Sequence, residues 1–96
     1  MRFNNLKFIN TKVPAGKQAI INFGTYELSV VQNEASYGSK QGLYEIAVFK
    51  NKNQVEMPGI TAEGDTVKGY LSEAEVDSIM LKMSFATRTE GKNIDG

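Results

Sequence analysis

The chain contains no histidine, no cysteine and no tryptophan. That removes Ser-His-Asp and Cys-His nucleophiles, ordinary zinc sites and c-type haem attachment in one step. Carboxylate, lysine, hydroxyl and tyrosine chemistry remain. Carboxylate pairs do acid–base work only where their surroundings push the two pKa values apart. Glu73 and Asp77 are four residues apart at a helix start, where the helix end favours negative charge. They read as an acidic, solvated contact surface rather than as catalysts. Glu63-Gly64-Asp65-Thr66 places two carboxylates around a glycine without the ligand spacing of an EF-hand, and reads as a turn. Gly38-Ser39-Lys40 has the composition of a phosphate loop, but a strand follows it where a P-loop needs a helix N-terminus. The expectation is a non-enzymatic protein with no catalytic residue, no metal and no cofactor.

Binding chemistry is better represented. Tyr37 and Lys40 lie in the polar, glycine-containing segment 34–42, and an aromatic and a cation on one loop make good recognition contacts. Lys50 and Lys52 follow at a second turn. Residues 1–53 carry seven basic side chains against three acidic ones, and residues 54–96 carry four against eight. A basic half with Tyr26, Tyr37, Tyr44 and Phe49 nearby is the composition of a single-strand nucleic-acid binder. The total charge is zero, however, and Arg2 is the one arginine before residue 88. Nucleic acid is therefore the lesser reading, with Tyr26, Tyr44 and Phe49 assigned to the core. The candidate contact residues are Tyr37, Lys40, Lys50, Lys52, Glu73 and Asp77.

The elements that must hold these residues are short strands followed by one helix. Leu6 to Thr11 alternates in hydrophobicity, within a strand over 6–12, and Val13-Pro14-Ala15-Gly16 fits a type I turn leading to a strand over 18–23. Gly24-Thr25 suits a two-residue II′ hairpin into a strand over 26–32. That loop places Phe23 opposite Tyr26, Ile21 opposite Leu28 and Ala19 opposite Val30, all apolar and on one face. Residues 43–50 are apolar on both faces, which predicts a central strand with something packed on each side. Asn51-Lys52 closes a further hairpin to 53–57, with Val48 opposite Val55 and Ile46 opposite Met57, ended by Pro58. Residues 60–66 read as a connection and 67–71 as a strand.

Ser72 and Glu75 have capping-box spacing, and Leu71 and Val76 occupy the hydrophobic-staple positions. Val76, Ile79, Met80 and Met83 continue with helical periodicity, which predicts a helix over about 73–83. Ile79, Leu81, Met83 and Phe85 also alternate, so the competing reading has one helical turn at 73–77 and a strand over 78–87. Residues 91–96 read as a frayed tail.

The sum is an α+β domain over 1–90: a mainly antiparallel sheet of four or five strands covered by one C-terminal helix. Ninety-six residues leave little room for a second core. No apolar run approaches the ~20 residues of a membrane span and no signal-peptide pattern opens the chain, so a cytoplasmic protein is expected. In general style (short, without Cys or His, rich in Asn and Lys, one hairpin sheet and a helix) the chain resembles small accessory proteins of phages and mobile elements. That resemblance implies docking on a host protein. The surfaces available are a strand edge, the 34–42 loop or the acidic helix start. The remaining alternative is a structural subunit that forms homo-oligomers through exposed edges.

Overall fold

The computed structural model describes residues 1–94. A single 3-10 turn at Phe3–Asn5 precedes seven strands: β1 (Ile9–Lys12), β2 (Ala15–Phe23), β3 (Tyr26–Asn33), β4 (Tyr44–Lys50), β5 (Asn53–Gln54), β6 (Val67–Leu71) and β7 (Lys92–Asn93). One helix, α1 (Glu73–Thr87), lies between β6 and β7. The strands form one sheet in the order β1-β2-β3-β4-β5, with β6 also on β4 and β7 also on β2. Every pairing is antiparallel. The sheet is thus three full strands wide, and each outer edge is shared by two short pieces.

The central hairpin has the register its sequence demands: Phe23 faces Tyr26, Ile21 faces Leu28 and Ala19 faces Val30. Gly24 supplies the positive φ of the turn at +79°. These side chains, together with Tyr44, Ile46 and Val48 of β4, form one buried face against Val76, Ile79, Met80 and Met83 of α1. Full burial of an aliphatic side chain of this size contributes roughly 1.5–3 kcal/mol. This face and the helix hold the fold together.

The helix starts as its sequence predicts. Ser72 Oγ accepts from Glu75 N at 3.1 Å, and Glu75 Oε1 accepts from Ser72 N at 2.9 Å. The Ser72 backbone N–H, and after it the Ser72 hydroxyl, hold the Glu75 carboxyl below its ordinary pKa. The helix then runs four residues past the expected end, and the competing strand over 78–87 is not formed. The buried set repeats at helical spacing, and Leu81 and Phe85, which a strand would have turned inward, stay exposed.

Five further expectations change. The first turn is Val13-Pro14 alone, with a cis peptide and Lys12 opposite Ala15. Proline is therefore at the third position of a type VI turn rather than the second of a type I turn. Ala15–Lys17 consequently join β2. Residues 6–8 are not in the first strand, because β7 occupies that stretch of β2 by pairing Ile21 with Asn93 and Asn22 with Lys92. The side chain of Asn93 accepts from Lys7 N and donates to Asn5 O at 2.8 Å. Residues 92–94 are therefore built into the sheet edge where a frayed tail was expected, and residues 95 and 96 lie outside the described residues.

The 51–52 hairpin forms, with φ of +50° and +72° at Asn51 and Lys52 and a bond from Val55 N to Val48 O at 2.9 Å. It then leaves β4. Met57 N is taken by Thr61 Oγ1, and Ile46 pairs with Lys68 of β6 instead of Met57. Finally, β4 is covered on one face only. On the other, Ala47 and Phe49 lie beside Ile20 and Val31, all half-buried. No other element crosses that face among the described residues. Its side chains shield one another: Gln18 Nε2 donates to Ser29 Oγ at 2.9 Å, and Lys52 sits 3.8 Å from Glu27.

Candidate functional site

The segment between β3 and β4 is bound at almost every residue. Asn33 Oδ1 accepts from Ala35 N at 2.9 Å, and Ser36 Oγ accepts from Asn33 N at 2.9 Å. Tyr37 N donates to Glu45 Oε1 at 2.8 Å. A 3-10 turn at Ser39–Gln41 follows, and Leu43 N returns to Gly38 O at 3.0 Å. These bonds fix the direction of Tyr37 before any tertiary contact is counted.

The tertiary contact comes from β6. Between Lys68, opposite Ile46, and Leu71, opposite Tyr44, β6 has two residues where β4 has one. That is a β-bulge, which re-aims a side chain. The extra pair is Gly69-Tyr70. Tyr70 has φ +57° and its ring stands outside the sheet. A bulky residue in the left-handed region is an outlier that costs of order 1–2 kcal/mol. Tyr70 N donates to Tyr37 O at 3.2 Å.

Glycines make this approach possible. A Cβ on Gly69 would lie 2.5 Å from Tyr37 Cβ, and one on Gly38 would lie 2.9 Å from Tyr70 Cα. Tyr37-Gly38 and Gly69-Tyr70 therefore interlock, each tyrosine packing on the other's glycine. The two rings are near-parallel, with centroids 6.3 Å apart and planes 20° apart. Both remain more than half exposed, at 59% and 57%. Glu34, Ser36, Lys40 and Gln41 join them around a hollow of about 210 Å³.

Of the six candidate residues, the tyrosine hollow holds two, Tyr37 and Lys40. Lys50 and Lys52 lie at the far end of β4, six residue steps from Tyr44, or about 20 Å. There Lys50 stands 5.4 Å over the Tyr26 ring and Lys52 pairs with Glu27. Asp77 is committed to the fold: its carboxylate takes Arg2 Nε at 2.8 Å and Phe3 N at 2.6 Å. Glu73 lines a cavity of about 460 Å³ with Arg2, Phe3, Asn4, Asn5 and Asp77, against the amino-terminal segment rather than the tyrosines.

Tyr70 is a candidate contact residue that sequence reasoning missed. As a strand residue by pattern it carried no signal of exposure. The mirrored dipeptides Tyr37-Gly38 and Gly69-Tyr70 were the signal available.

Among the described residues no cluster of three or more metal-ligating side chains occurs, and no helix is long and apolar enough to cross a membrane. Compared with family models, with curated proteins and with solved structures, the chain matches none.

Proposed function

We propose that this is a small, cytoplasmic, non-enzymatic binding protein that docks on another protein through Tyr37 and Tyr70. The observation that carries the reading is the pair of exposed, near-parallel rings held by a bulge, two glycines and a left-handed tyrosine. Strain of this kind persists where the surroundings over-determine it, and it clusters at functional sites. Rigid exposed tyrosines lose little side-chain entropy on binding, which makes them effective interface anchors. The nucleic-acid reading loses support because the lysines it relied on are spread over both ends of the sheet. Among the described residues Lys40 is the one cation lining the tyrosine hollow, and it shares that hollow with Glu34.

A pull-down from the native source with three baits tests the reading. A protein captured by wild type and by Lys50→Ala, and lost with Tyr37→Ala, supports docking at the tyrosines. Retention by Tyr37→Ala refutes it. Self-assembly is the second reading, favoured by Leu81 and Phe85, which are exposed one helical turn apart on α1. Light scattering decides it: a monomer at millimolar concentration ends that reading.

A further inference from the structure

We propose that Tyr37 and Tyr70 form an oxidative modification site: a one-electron oxidant joins the two rings as a dityrosine within one chain. This goes beyond the docking reading and does not rest on it. The rings are near-parallel with centroids 6.3 Å apart, so a radical formed on one has the other beside it. Both are more than half exposed, and an oxidant can reach either. Neither hydroxyl takes part in a hydrogen bond among the described residues, so each phenol proton can leave to water. The backbone is also in place. Tyr70 N donates to Tyr37 O at 3.2 Å, and a Cβ on Gly38 would lie 2.9 Å from Tyr70 Cα. The two residues start from adjoining stretches of chain, and turning about χ1 and χ2 carries an edge of one ring to an edge of the other.

Other side chains compete poorly for this chemistry. The chain has no cysteine and no tryptophan. Of the four tyrosines, Tyr44 is buried against Phe3 and Phe8, and Tyr26 is half-buried beneath the Lys50 ammonium. Neither has a second tyrosine ring against it among the described residues. Methionine takes up an oxygen atom instead of coupling, and Met80 and Met83 are fully buried.

The step balances with hydrogen peroxide as oxidant, acting through a haem peroxidase. Each phenol gives one electron to the peroxidase and its hydroxyl proton to water. The two phenoxyl radicals pair at ring carbons ortho to oxygen, forming one C–C bond. The C–H bonds at those carbons then break, and their protons return to the two oxygens as the rings regain aromaticity. Peroxide takes up the two electrons and two protons, its O–O bond breaks, and two waters leave. A ring held this close has an effective concentration of about a millimolar or more, so at micromolar protein the bond forms within a chain. It would tie the loop before β4 to β6, as a disulfide does in chains that contain cysteine.

The test treats the full chain, at micromolar concentration, with a haem peroxidase and hydrogen peroxide. The expected product shows blue dityrosine emission, migrates as a single chain and has lost two hydrogen atoms. A tryptic digest should join peptides 18–40 and 69–82. Tyr26 shares the first peptide with Tyr37, so an unchanged product from Tyr26→Phe places the bond at Tyr37. Tyr37→Phe and Tyr70→Phe keep the rings, remove only unbonded hydroxyls and should each abolish the product. Gly69→Ala keeps all four tyrosines but displaces Tyr37, and should cut the yield about tenfold. If that variant does not fold, the phenylalanine variants carry the test. Absence of dityrosine, covalent dimers as the main product, a product that survives Tyr37→Phe or Tyr70→Phe, or an undiminished yield from folded Gly69→Ala each overturns the proposal.

Discussion

Two aromatic clusters of similar ring spacing are put to opposite uses in this fold. In the first, Phe3 lies 5.2 Å from Tyr44 and 5.9 Å from Phe8, with Phe8 and Tyr44 5.8 Å apart. Lys17 caps it 4.6 Å over the Phe8 ring, and the Arg2–Asp77 ion pair ties the amino-terminal segment down to α1 beside it. The second is the Tyr37–Tyr70 pair, which nothing caps among the described residues. The closed cluster gains from burial, from edge contacts between rings and from a cation over a ring face. The open pair gains little of this and holds a backbone conformation that opposes folding. Clusters that look alike by ring distance are told apart by what covers them and by which way the backbone strain runs.

Substitutions can break that distinction. Tyr44 is 4% exposed, and Tyr44→Ala should cost about 3–5 kcal/mol, read as a large drop in the urea midpoint. A loss below 1 kcal/mol would show that the closed cluster does not support the fold. Gly69→Ala forces a Cβ against Tyr37 and should cost about 1–3 kcal/mol, with the Tyr37 and Tyr70 ring resonances moving together. If those resonances stay in place, the glycine interlock is not what aligns the rings.

Ser72→Ala removes the cap of the helix that anchors Asp77. It should cost about 1 kcal/mol by thermal or urea unfolding and leave the open pair untouched. Tyr70→Asn goes the other way. Asparagine tolerates the left-handed region, so stability should hold or rise by up to about 1 kcal/mol while docking is lost. A clear destabilisation would mean that Tyr70 belongs to the core.

The smallest effect concerns pH. Glu75 has a lowered folded-state pKa, so its contribution is full above its unfolded value of about 4.3 and is lost as pH falls through the lower folded value. Glu75→Gln should therefore narrow its stability gap to wild type on acidification, followed by circular dichroism. A gap that widens in acid contradicts the capping account.

The features written locally in the chain were the ones legible in it. The register of β2 on β3 follows from a two-residue loop and period-2 alternation, both visible in residues 18–32. The helix start follows from Ser72 and Glu75. The helix end was ambiguous because Leu81 and Phe85 are apolar but exposed, so the apolar pattern satisfied two periods. The pieces that failed depend on competition between distant segments. β7 displaces residues 6–8 from β2, and β6 displaces Met57 from Ile46; no window of sequence contains both rivals. The candidate site was half legible for the same reason. Tyr37 and Lys40 announce themselves by loop composition, whereas Tyr70 is exposed by a bulge that exists only once β6 is laid on β4.

The divided margins of the sheet bear on how the protein behaves at high concentration. A long unbroken margin is a template on which a second copy can add strand after strand, the first step toward fibres. Here β1 gives way to β7 on one side and β5 to β6 on the other, each no more than five residues long. The bulge at Tyr70 and the lysines at 12 and 68 interrupt what remains. Sheet growth from either side stops after a few hydrogen bonds, and this chain should stay dispersed even where its surface is apolar.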